Sequence, residues 1–162
     1  MLGGERLTMS RELPNIAGIV GPILQRLPAA ERPLLGAVAE RQSAERYRGW
    51  AAAASDAAWR AALLACAARE EDIAHRVEAL YPDAAAVQAR ILRNHPDIAD
   101  LTRALFAGRP VDEQYAIQAA AERVGAATWR AAAAQAAPAA RETFLACAEL
   151  EEESARVLES RG

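Results

Sequence analysis

The chain has 162 residues, 52% of them hydrophobic and 25% charged, which suits one globular domain with a core of moderate size. Its formal net charge is -3 and every positive side chain is an arginine, so there is no broad basic patch to neutralise phosphates, and nucleic acid is excluded as an expected partner. No stretch approaches the roughly 18 apolar residues of a membrane helix, and the two cysteines stand too far apart for a metal knuckle or a redox motif. A cytoplasmic protein with no membrane partner is the expectation, with Cys66 and Cys147 as small core residues.

Residues 1 to 28 read as an N-terminal arm with one short helix. Its apolar patch from Ile16 to Leu24 is interrupted by Gly18, Gly21 and Pro22, unlike the apolar region of a signal peptide. The arm must cover its apolar side chains either on its own chain or on another subunit. A bundle then occupies residues 29 to 162. Its first long helix is expected from about Pro33, a residue tolerated in the first turn, to about Ala54, with an inward stripe of Ala37, Glu40, Ala44, Tyr47, Ala51 and Ala54. The second starts after Ser55 or Asp56 and stops near Leu80, before Pro82, with Trp59, Leu63, Cys66, Glu70, Ile73, Val77 and Leu80 turned inward.

From about 82 to 111 the chain is punctuated by Pro82, Pro96, Gly108 and Pro110, which breaks it into two short helices near 84–93 and 97–107. The third long helix is expected from Asp112 to about Ala136, with Tyr115, Gln118, Glu122, Gly125, Trp129, Ala132 and Ala136 inward. Pro138 opens the fourth, whose stripe is Phe144, Cys147, Glu151, Ser154 and Leu158. Leu64-Ala65-Cys66-Ala67 with Glu70-Glu71-Asp72 recurs 81 residues later as Leu145-Ala146-Cys147-Ala148 with Glu151-Glu152-Glu153. The expected fold is therefore all-α: a four-helix bundle of two duplicated hairpins joined by a long crossover.

One glutamate stands on each inward stripe. Glu40 precedes Ser55 by 15 residues and Glu70 follows it by 15, while Glu122 precedes Pro138 by 16 and Glu151 follows it by 13. Antiparallel helices rising about 1.5 Å per residue would bring all four carboxylates to one level. Four such groups in low dielectric repel one another, and they take up protons unless a metal cation or an inward arginine sits among them.

Glu40 with Tyr47 seven residues on, followed by an acidic run in the next helix, resembles the ferritin-like superfamily of ferritins, bacterioferritins and rubrerythrins over residues 33 to 158. That resemblance implies a two-iron site built from single glutamates at Glu40 and Glu122 and from Glu-x-x-His pairs beginning at Glu70 and Glu151, with Tyr47 as an outer hydrogen-bonding residue and Trp129 in the matching place. The histidine positions hold Ile73 and Ser154 instead. An oxygen-only set of Glu40, Glu70, Glu122 and Glu151 favours one or two hard divalent cations such as Mg²⁺, Ca²⁺ or Mn²⁺ over iron, and a metal-free site is equally open. Asp72 with His75 has the spacing of a rival ligand pair, but helical periodicity turns Asp72 some 200° from Glu70.

Two functions follow as expectations. One is a ferritin-like protein with a degenerate, histidine-free carboxylate site, metal-free or holding a hard cation. The other is a working metal-binding oxidoreductase or iron-handling protein of that superfamily. A homodimer or higher homo-oligomer is expected from the alanine-rich helices and the apolar arm.

Overall fold

The computed structural model describes residues 12–161, so the expected arm before residue 12 lies outside the described residues. All of the regular structure in that span is helical. Seven α-helices run in the order α1 (Ile16–Gln25), α2 (Arg32–Ala53), α3 (Ala57–Glu78), α4 (Ala84–Asn94), α5 (Asp97–Phe106), α6 (Val111–Gln135) and α7 (Pro138–Glu159), with a single 3-10 turn at Ala29–Glu31 before α2.

The ends of these helices follow local chemistry. The carboxylate of Asp56 accepts the backbone N–H of Ala58 at 3.0 Å and caps α3. Pro33 and Pro138 sit in the first turns of α2 and α7, where no intrahelical N–H is needed. Asp83 stands at the start of α4 without a capping bond, and Asp97 pairs instead with Arg26 at 2.7 Å, tying α5 to the chain just after α1. Gly108 has φ 69, a left-handed conformation that turns the chain between α5 and α6.

The long helices pair closely as α2 with α3 and α6 with α7, and the two pairs meet chiefly along α3 and α7. On the other side, α2 and α6 reach each other mostly through long side chains. Tyr47 bonds Glu122, Arg46 bonds Gln118, and the Trp50 indole donates to Gln114 at 2.9 Å.

Two apolar clusters fill the interior. The first gathers Ala44, Tyr47, Trp50, Trp59, Leu63, Cys66, Tyr115, Ala119 and Leu158, with edge-on contacts among its aromatic rings. The second gathers Ala37, Ile73, Val77, Ala126, Trp129, Phe144 and Cys147. Each long helix passes from one cluster to the other at its inward glutamate: Ala44 and Ala37 flank Glu40, Cys66 and Ile73 flank Glu70, Ala119 and Ala126 flank Glu122, and Leu158 and Cys147 flank Glu151. The four carboxyls thus form a polar layer between two apolar ones.

The apolar side chains of α1 are covered in part by the chain itself: Ile16 is buried, and Ile19, Val20, Ile23 and Leu24 are half-buried. Ile23, Leu24 and Leu27 pack with Leu34 and Leu35 of α2 and with Val87, Ile91 and Ile98 of α4 and α5.

Candidate functional site

Glu40 is 8% exposed, Glu70 0%, Glu122 1% and Glu151 2%, each held by a different long helix. Oxygens of Glu40, Glu70 and Glu151 converge within 4.8 Å of one another. Glu122 adjoins them through a carboxyl contact with Glu151. Helical spacing turns each glutamate inward, because each falls on the same stripe as the apolar residues one turn away, and the antiparallel pairing of the helices brings them to one level.

Neutral donors surround the layer. The Tyr47 hydroxyl donates to Glu122 Oε1 at 2.7 Å, and Gln118 Nε2 donates to the same oxygen at 2.7 Å. The Trp129 indole N–H donates to Glu151 Oε1 at 3.0 Å, and the Ser154 hydroxyl donates across the bundle to Glu70 Oε1 at 2.9 Å. Glu70 Oε2 is buried and has no hydrogen-bond partner among the described residues. A buried acceptor left unpaired costs about 1–3 kcal/mol, more when charged, so this oxygen calls for a proton or a cation.

No arginine forms an ion pair with any of the four among the described residues. The nearest compensating charge is relayed, since Arg46 Nη1 donates to Gln118 Oε1 at 2.7 Å and Gln118 in turn donates to Glu122. The electrostatic consequence is uptake of protons. Burial pushes the Glu40 carboxyl up to about 7. Burial, then the negative charges of neighbouring glutamates, holds Glu70 and Glu151 well above the ordinary carboxylate range. Burial also raises the Tyr47 hydroxyl, which stays protonated and acts as a donor.

Gly125 makes room for one of the four. A Cβ at this position would lie 2.3 Å from Glu151 Oε1, so only glycine leaves space for the Glu151 carboxyl against α6. Gly36 does the same for Trp129, whose ring would stand 2.8 Å from an added Cβ.

Of the residues singled out from the sequence, Glu40, Glu70, Glu122, Glu151, Tyr47 and Trp129 come together. Asp72 and His75 do not join them. Asp72 pairs with Arg76 at 2.9 Å and His75 is exposed, while Glu71 is taken by Arg41 and Arg48 on the outer face. Ser154, which offered only a weak neutral oxygen as a metal ligand, acts as a donor to Glu70. Ser43, Arg46, Gly36 and the niche role of Gly125 were not anticipated. Ser43 accepts from Gln118 at 3.2 Å, completing the polar chain from Arg46 to Glu122. Its one sequence signal was Gln118, an amide one turn before Glu122 on a stripe whose other members are aromatic or small.

The donor set fits a hard cation. Two oxygens on opposite sides of a Ca²⁺ ion are about 4.6–5.2 Å apart, and on Mg²⁺ about 4.0–4.2 Å, so a triad within 4.8 Å can close on either with small movements. Among the described residues the converging ligand atoms are carboxylate oxygens alone, and burial raises the two thiols that border the layer, Cys66 and Cys147, so they stay protonated, which disfavours sites selective for thiolate or imidazole. No protein-family model, curated protein or solved structure matches the chain.

Proposed function

We propose that the chain is a ferritin-like four-helix bundle, α2–α3 and α6–α7 being duplicated hairpins and α4–α5 the crossover, with a histidine-free carboxylate centre that binds a hard divalent cation. The observation that carries the cation reading is the convergence of Glu40, Glu70 and Glu151 beside an unpartnered, fully buried oxygen of Glu70. In this reading the three carboxylates supply the ligand oxygens, and Ser154 and Trp129 fix the orientation of Glu70 and Glu151. Glu122, held by Tyr47 and Gln118, is a fourth carboxylate at the edge of the triad. A bound divalent ion would supply positive charge that keeps these groups ionised at neutral pH. The ferritin-like part is supported by the order of the helices, the repeated hairpin and one inward glutamate per long helix.

A second reading, a metal-free bundle that carries protonated carboxyls and serves a structural or partner-binding role, is favoured by the ring of protein donors and by the raised Glu40, Glu70 and Glu151 carboxyls. Iron-dependent oxidoreductase chemistry ranks below both, because Ile73 and Ser154 stand where the superfamily places histidines.

Calorimetric titration of chelator-treated protein with Ca²⁺, Mn²⁺ and Mg²⁺ at pH 7.5, paired with elemental analysis of protein purified without chelator, separates the readings. Saturable binding with release of protons, lost in Glu70→Gln, is the expected result. Absence of binding for all three ions, with Glu70→Gln raising stability, would establish the protonated, metal-free bundle instead.

A further inference from the structure

The side-chain-only contact between α2 and α6 leaves a cavity of about 940 Å³ along their seam, roofed by α1 and α5. Its α6 wall runs from Gln118 to Gln135, about 26 Å of helix at 1.5 Å per residue. Small residues such as Gly36, Ala39, Ala121 and Ala132 open the space, Val20, Leu24, Leu105 and Phe106 make much of its surface apolar, and Glu40, Glu122 and Glu151 of the polar layer line it part-way along. This is an elongated, mainly apolar slot, of the size that takes a small organic ligand.

At one end of the slot sits a cation without a counter-ion in contact. The guanidinium of Arg46 lies 3.8 Å from the centre of the Phe106 ring and gives a single hydrogen bond, to the neutral amide of Gln118. Among the described residues no carboxylate pairs with it. Burial lowers this group to about 10, which still leaves it charged at neutral pH. Gln118 stands between it and Glu122, and among the described residues no protein acceptor meets the remaining guanidinium N–H groups, which leaves donors for an anion. A planar fork of donors at the end of an apolar slot matches a carboxylate carried on an aliphatic chain.

We infer that the α2–α6 cavity binds a long-chain aliphatic monocarboxylate, with its carboxylate on Arg46 and its chain laid along the seam past the Glu40 side of the polar layer. The inference goes beyond the cation reading and does not depend on it.

The test is calorimetric titration of the full chain with hexadecanoate and with hexadecan-1-ol, both below their aggregation limits and with chelator present, so that failure of cation binding cannot affect it. Wild type should bind hexadecanoate saturably. Arg46→Met should weaken hexadecanoate by roughly ten- to a hundredfold, as expected for losing a charge-assisted pair, and leave hexadecan-1-ol unchanged. Ala39→Phe, which fills the slot, should abolish binding of both, while thermal melting shows that each variant is folded. No saturable hexadecanoate binding to wild type would overturn the inference, as would equal affinity in Arg46→Met or undiminished binding in Ala39→Phe. A dimer by light scattering that Ala39→Phe dissociates would assign the slot to a second copy of the chain and overturn it as well.

Discussion

The polar layer makes the stability of the metal-free protein depend on pH in an unusual direction. Glu40 has an ordinary value of 4.5 and is raised to about 7 by burial. A carboxyl raised in the folded state stabilises the fold fully below its unfolded value, and that stability is lost as pH rises through the folded value. The difference corresponds to about 3 kcal/mol from Glu40 alone, lost between about pH 4.5 and 7. Glu70 and Glu151 are raised further and extend the loss in the same direction.

The carboxylates held below their ordinary range by arginines, Glu78, Asp97, Glu152 and Glu159, act oppositely, but their contribution is present above their ordinary values of 4.5 and, for Asp97, 3.8, and disappears only as pH falls below those. They add no slope between pH 5 and 8. Cys147, pushed up to about 12 from 9, affects stability only in more alkaline solution.

Urea unfolding followed by circular dichroism at pH 5, 6, 7 and 8 in chelator should show the midpoint falling steadily with pH. Glu40→Gln should flatten part of that slope, matching wild type near pH 5 and exceeding it by about 3 kcal/mol at pH 8. Ca²⁺ or Mn²⁺ at a hundredfold excess over its dissociation constant should restore about 2.7 kcal/mol at pH 8. A midpoint constant from pH 5 to 8, in wild type and Glu40→Gln alike, would refute the claim that these carboxyls are buried together.

Three further outcomes are expected. Gly125→Ala should force the Glu151 carboxyl out of its niche, costing about 1–3 kcal/mol in thermal melting and weakening any cation binding seen by calorimetry. Tyr47→Phe should remove one of two donors to a buried acceptor and destabilise by about 1–2 kcal/mol, read from urea midpoints at pH 7, without altering helix content. Asp56→Ala should cost about 1 kcal/mol through loss of the α3 cap, and the loss should be the same with or without added cation, because the cap is remote from the carboxyls.

Helix boundaries were legible because proline, glycine and capping residues mark them directly. The expected limits of the long and short helices fall within about two residues of those observed, with α2 at Arg32–Ala53 and α6 at Val111–Gln135 as examples. The burial of Glu40, Glu70, Glu122 and Glu151 was legible because a period of 3.6 residues ties each to apolar neighbours on its own helix. What periodicity could not supply is the relation between helices. Arg46 lies one residue off the stripe of α2, so its turn toward Gln118 depends on how far α6 stands away. Gly125 and Gly36 gave no signal as glycines in helices, since their function is the space they leave for Glu151 and Trp129 from other parts of the bundle.

The two halves of the repeat have diverged in how they hold the polar layer. Three residues after the repeated glutamate, α3 has Ile73 in the apolar cluster and α7 has Ser154 bonded to Glu70. The matched aromatics differ likewise: Tyr47 reaches from α2 to Glu122 on α6, while Trp129 reaches Glu151 within its own hairpin. Every one of these contacts supplies a neutral donor, and none supplies a ligand nitrogen or a formal positive charge. A protein donor can orient a carboxylate, but it cannot neutralise it. Charge balance therefore rests on what enters the layer, protons or, on the proposed cation reading, a divalent ion, and Glu70 Oε2, without a hydrogen-bond partner among the described residues, is where that demand is concentrated.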